Sequence, residues 1–134
     1  MTSDFNQPNG LAFSPDEKFL YVSDSGESDD IDGPPHIRRF SVDSRFELSG
    51  GEVLIESKNG IFDGFRIDQE GRIWTSAWDG VHCYEPDGTM IGRIRIPEWV
   101  ANVTFGGPKR NRLFICGTSS LYSVMLAVRG SALG

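Results

Sequence analysis

Apolar and polar positions along this chain alternate over short runs, and turn residues cut each run before it reaches ten. Phe19-Leu-Tyr-Val22, Ile73-Trp74 and Arg112-Leu-Phe-Ile115 read as strands, rich in the β-branched and aromatic residues that suit a pleated, half-buried surface. Ile37 to Val42, Glu52 to Ile55, Val81 to Glu85, Met90 to Ile96 and Leu121 to Val128 read the same way. No stretch sustains a 3.6-residue apolar period, so no long helix is expected.

The pattern repeats. Asn9-Gly-Leu-Ala-Phe-Ser-Pro-Asp-Glu-Lys-Phe-Leu-Tyr-Val-Ser aligns with Asp63-Gly-Phe-Arg-Ile-Asp-Gln-Glu-Gly-Arg-Ile-Trp-Thr-Ser-Ala and with Asn102-Val-Thr-Phe-Gly-Gly-Pro-Lys-Arg-Asn-Arg-Leu-Phe-Ile-Cys. Each is a short strand, a turn and a second strand holding an aromatic: Tyr21, Trp74 or Phe114, at offsets 12, 11 and 12. The turns Ser14 to Glu17, Asp68 to Gly71 and Gly106 to Lys109 carry the Gly, Pro, Asp and Ser that tight turns need. Counting the later strands gives four, four and three. Units of 40 to 50 residues with four antiparallel strands are β-propeller blades. The expected architecture is therefore all-β: a partial propeller domain over residues 1–134, with blades at roughly 7–57, 58–98 and 99–130. A plain β-sandwich would not explain the coinciding offsets.

Composition sharpens this. The 134 residues include 16 Gly and 7 Pro, in keeping with many turns. A net charge of −6 argues against a nucleic-acid partner, because phosphate binding needs a positive field. No apolar run approaches the ~20 residues that span a bilayer, so no membrane association is expected. Met1-Thr-Ser-Asp-Phe5 has neither the basic nor the apolar region of a signal peptide. Cys83 and Cys116 form no CxxC and read as buried free thiols, which points to a reducing, cytoplasmic setting.

The repeat also places chemistry. Asn9, Asp63 and Asn102 occupy one position in three successive units, just ahead of the first strand. The first strand of a blade is innermost, so these residues should line the mouth of the axial channel. Their oxygens suit a hard divalent cation, which can polarise a substrate carbonyl and acidify a bound water. Asp63 carries the full negative charge of the three and is the expected base. Asn9-Gly10 and Asp63-Gly64 are also ordinary turn pairs, and Asn102 fits a structural role equally well. Trp78, beside the turn at the same end, either walls a substrate pocket or packs between blades. Trp99 either caps the mouth or packs. Asp24 opens an acidic loop that continues through Glu27, Asp29, Asp30 and Asp32; it is expected to overhang the mouth and meet substrate. An EF-hand frame through that loop fails, since Arg39 falls on the bidentate position. His36 and His82 show no zinc spacing, and the serines lack a nucleophile elbow.

The stretches Pro8-Asn-Gly-Leu-Ala-Phe-Ser-Pro-Asp16, Asp63-Gly-Phe-Arg-Ile-Asp68, Gly71-Arg-Ile-Trp74, Pro86-Asp-Gly-Thr-Met-Ile-Gly92 and Asn102-Val-Thr-Phe-Gly-Gly107, in this order and spacing, resemble the C-terminal half of the gluconolactonase and senescence-marker (regucalcin) family of six-bladed propellers. The resemblance covers about residues 7–130. It implies a lactone hydrolase with one divalent cation, Ca²⁺ foremost and Mg²⁺, Mn²⁺ or Zn²⁺ as alternatives. It assigns Asn9 and Asp63 as ligands and Asp63 as the base. The family's remaining ligands, a Glu near its N-terminus and a further Asn, belong to a first half that has no counterpart here. Three blades do not close a ring. A homodimer in which each Met1–Gln7 segment extends the partner's last blade is one resolution. An inactive fragment or a non-catalytic binding module is the alternative. The chain is thus expected to be an enzyme, acting on a small lactone, if the propeller is completed.

Overall fold

The computed structural model describes residues 2–26 and 34–133. The acidic residues Glu27, Asp29, Asp30 and Asp32 lie outside the described residues, and with them most of the loop expected to overhang the mouth.

Eleven strands form three antiparallel sheets, and no helix occurs among the described residues. The first sheet is β1 (Pro8–Phe13), β2 (Phe19–Asp24), β3 (His36–Val42) and β4 (Leu48–Glu56), in that order. The second is β5 (Phe65–Ile67), β6 (Ile73–Ala77), β7 (Gly80–Tyr84) and β8 (Met90–Arg95). The third has three strands, β9 (Val100–Gly106), β10 (Arg112–Gly117) and β11 (Leu121–Met125). The first strands β1, β5 and β9 are neighbours across the sheets, as the innermost strands of propeller blades must be. This is the β-propeller arrangement that the repeat predicts, built of three blades.

The three turns after the innermost strands share one geometry. In each, the fourth residue donates its N–H to the first residue's carbonyl: Glu17 to Ser14, Gly71 to Asp68 and Arg110 to Gly107. That fourth residue takes a left-handed φ of 57°, 82° and 54° respectively. Gly71 adopts it freely, whereas Glu17 and Arg110 carry a Cβ there.

Two apolar clusters hold the blades together. Between the first two blades lie Tyr21, Ile37, Ile55, Phe62, Phe65 and Ile73. Between the second and third lie Val81, Val100, Val103, Phe105, Leu113 and Ile115, with Trp74 packed edge-on against Phe105 at 6.1 Å. The second blade is covered on both faces, so every residue of β7 is buried. The third blade is covered on one face only, and β11 alternates, with Leu121 70% and Met125 61% exposed. The third blade therefore leaves apolar surface open.

Two details depart from expectation. Cys83 is buried but Cys116 is exposed. At the same repeat position Ser23 is covered by the following blade; β10 has no following sheet in this chain to cover Cys116. The segment before β1 is also spent on its own blade. Phe5 packs on Phe40 at 5.8 Å, the Arg38 guanidinium lies over both rings, and Asp4 pairs with Arg38 at 3.0 Å. That segment is not free to extend a partner in this arrangement.

Candidate active site at the mouth of the blades

A serine near the end of the second strand in the first two blades, where the third blade has Cys116, organises the mouth. Ser23 Oγ accepts the Gly10 N–H at 2.7 Å and donates to the Asp63 carbonyl of the next blade at 3.1 Å. Ser76 Oγ accepts the Asp63 N–H at 3.0 Å. Ser25 Oγ donates to the Phe62 carbonyl at 3.1 Å and accepts from Asn9 Nδ2 at 3.1 Å. Gly64 donates to the Ala101 carbonyl of the third blade at 2.9 Å. The Asp63 backbone is therefore fixed from both neighbouring blades.

Small residues let the blades come this close. A Cβ on Gly10 would sit 2.5 Å from the Asp63 carbonyl oxygen, and one on Gly64 would overlap the Asn102 carboxamide. The strand register shifts in both flanking blades at this end, between Pro8 and Leu11 in β1 and opposite Val100 to Asn102 in β9. Such bulges re-aim side chains out of the sheet alternation. The glycine contacts and the neighbouring strands bring the segments of Asn9, Asp63 and Asn102 side by side.

Their side chains differ in freedom. Asn9 donates through Nδ2, leaving its carbonyl oxygen available. Asn102 Oδ1 accepts the Val103 N–H at 2.9 Å and keeps one lone pair. The Asp63 carboxylate makes no hydrogen bond or ion pair among the described residues. It lines a cavity of about 330 Å³ together with Trp78, Trp99, Ile61 and Thr118. Among the described residues no three His, Cys, Asp or Glu side chains cluster for a metal. Asn9 and Asn102 do not line the Asp63 cavity; they lie on the neighbouring inner strands and bring carboxamide oxygens, which with the Asp63 carboxylate are donors of the hard type that suits a divalent cation.

Asp24 is placed elsewhere. It is 3% exposed, and its carboxylate accepts the backbone N–H groups of Asn6 and Gln7 at 2.8 Å and of Gly26 at 3.0 Å. Burial raises its pKa, but the three donors more than offset this and hold it below the ordinary value. Its oxygens anchor the approach to β1 and do not line the Asp63 cavity. Trp78 does line it, 45% exposed, with Gly60 packed beneath its Cβ. Trp99, ambiguous in the sequence, is 65% exposed on the same wall. The roles of Ser23 and Ser76 were visible as a shared repeat position, but hydroxyls in strands carry no signal of what they bind.

A propeller blade set with a free carboxylate at the inner-strand mouth, beside an aromatic-walled cavity, defines the class. Residues 1–119 match the family described as SMP-30/Gluconolactonase/LRE-like region, and the chain belongs to that family. It is 33% identical over 129 residues to a gluconolactonase of Zymomonas mobilis, covering 89% of this chain and 35% of that protein. A solved gluconolactonase from Xanthomonas campestris superposes with a TM-score of 0.81 at 35% identity, covering 93% of this chain and 39% of that one. Regucalcin from Agrobacterium tumefaciens, described as a calcium-binding protein, superposes with a TM-score of 0.73 at 26% identity, over 96% of this chain and 48% of its own. The chain thus spans less than half the length of these relatives. No helix among the described residues is long and apolar enough to cross a membrane.

Proposed function

We propose that this chain contributes half of the site of a divalent-cation-assisted hydrolase of sugar or related lactones. The free carboxylate of Asp63 on the wall of the Trp78 cavity carries this reading, and the gluconolactonase relatives support it. Asn9, Asp63 and Asn102 would hold the cation, Ca²⁺ foremost given the regucalcin relative, with Mg²⁺, Mn²⁺ or Zn²⁺ as alternatives. A bound cation supplies Lewis-acid polarisation of the lactone carbonyl. The chain's own part is to orient the lactone against Trp78 and to accept a proton from the attacking water at the Asp63 carboxylate. Opening the ring adds the water oxygen to the carbonyl carbon, breaks the acyl C–O bond and returns the proton held at Asp63 to the departing ring alkoxide, which leaves a hydroxy acid.

A second half-ring would complete the set of ligands. Pairing of two chains about the propeller axis would supply it, with the bare third-blade face as part of the contact. Two unpaired thiols fit a cytoplasmic setting. The test is pH-stat hydrolysis of a sugar lactone by the assembled protein, with and without chelator, in the wild type and in Asp63→Ala. Loss of activity in both arms is expected. Activity unchanged by either treatment would falsify the reading. Sedimentation gives the assembly: a mass of only one chain removes the homodimer.

A further inference from the structure

Two tryptophans are exposed beside Asp63, one packed on a glycine and the other on a tied stretch of backbone. Trp78 rests on Gly60, which has no Cβ to push it away. The Trp99 carbonyl accepts from Thr118 Oγ1 at 3.3 Å. Its neighbour Glu98 is pinned harder: one carboxylate oxygen accepts the Tyr122 hydroxyl at 2.7 Å, the other the Ser119 N–H at 2.8 Å and hydroxyl at 2.9 Å. Ile61 joins them, 42% exposed. Large apolar side chains grouped in the open at one cavity mark a surface meant to be covered. Backbone fixed before binding lowers the ordering cost that a ligand must overcome.

The polar groups on this wall are few. Asp63 and Thr118 are the lining residues that bring a carboxylate or a hydroxyl, and the Thr118 proton is already directed to Trp99. A lactone with hydroxyls on every ring carbon would press some of them against indole and aliphatic carbon, where they lose water without gaining partners. A ring with a hydrocarbon face or an alkyl substituent loses nothing there and buries apolar area.

We infer that Trp99 and Ile61, with Trp78, form a specificity surface that selects lactones presenting an apolar face or alkyl chain over fully hydroxylated sugar lactones. This rests on the lactone-site reading above and narrows its substrate class.

The test is calorimetric titration of the protein in its native assembly with two lactams, which mimic the ring and resist hydrolysis. One carries a hexyl chain and the other is the lactam of gluconic acid. The hexyl lactam should bind about tenfold more tightly or better. Trp99→Ala and Ile61→Ser should drive that ratio toward one, and Trp99→Phe should keep most of it. Equal or tighter binding of the hydroxylated lactam, or a ratio untouched by Trp99→Ala, overturns the proposal. Hydrolysis of the matching lactones is measured in parallel with Asp63→Asn. A preserved binding ratio without any Asp63-dependent turnover would keep the apolar surface and remove the hydrolase reading. Turnover with no preference would do the reverse.

Discussion

The two ends of the blades use the same kind of residue for opposite purposes. At the base, Asp68 is fully buried. Its oxygens accept the N–H groups of Glu70 and Arg72, the Trp74 indole at 3.0 Å and the Arg72 guanidinium at 3.3 Å. Chain from the third blade crosses beneath it: Gln69 donates to the Arg129 carbonyl and Ser131 to that of Ile67. At the mouth, Asp63 keeps its backbone tied and its carboxylate free. A saturated carboxylate serves the scaffold; one without partners among the described residues, beside a cavity, is available to a ligand. The repeat makes these residues neighbours in one motif, Asp63-Gly-Phe-Arg-Ile-Asp68, yet their environments separate their roles.

The sharpest way to break this contrast is to remove each carboxylate in turn. Asp68→Ala should cost about 2–4 kcal/mol in urea unfolding, because it leaves the Trp74 indole and the Glu70 and Arg72 backbone N–H groups without their acceptor. Asp63→Ala should stay within about 1 kcal/mol of wild type while losing cation binding. Similar losses for both would erase the distinction. Gly64→Ala tests the close approach at the mouth: the added methyl must displace Asn102, at about 1–3 kcal/mol and with weaker cation affinity by calorimetry. Ser23→Ala removes the hydroxyl that ties Gly10 to the next blade's Asp63, and should cost about 1–2 kcal/mol. The smallest effect is a pH dependence. Asp24 has a lowered pKa in the folded state, so it contributes stability that is present above the unfolded value of 3.8 and is lost as pH falls through the folded one. Asp24→Asn should lower stability at neutral pH and flatten the acid limb of a thermal-unfolding series. An unchanged acid limb would show that the three backbone donors do not set its titration.

Much of the fold was legible because blade formation is a local matter. Alternation and turn residues at Ser14 to Glu17 and Asp68 to Gly71 mark hairpins without reference to the rest of the chain. The candidate site was less legible: Asn9, Asp63 and Asn102 share a repeat position, yet Asp63 stands ahead of β5 as expected while Asn9 falls inside β1 and Asn102 inside β9, because hairpin pairing extends those strands further. Asp24 was not legible, because the partners that consume its carboxylate, Asn6 and Gln7, donate backbone groups that no side-chain pattern reveals. Cys116 looked like Cys83 because both lie in apolar strands, and only the stacking of blades decides which face is covered.

By itself, the sequence determined the strand order, the turns and the three-blade repeat, since each follows from side-chain periodicity and short-range backbone preference. Tertiary structure alone decided that Asp63 is free while Asp24 and Asp68 are bound, that Trp99 stands beside Trp78, and that the second blade is buried on both faces. Those outcomes depend on which groups the stacking of blades brings within reach, and nothing in the local sequence of a carboxylate says whether a backbone amide, a guanidinium or an open cavity will face it.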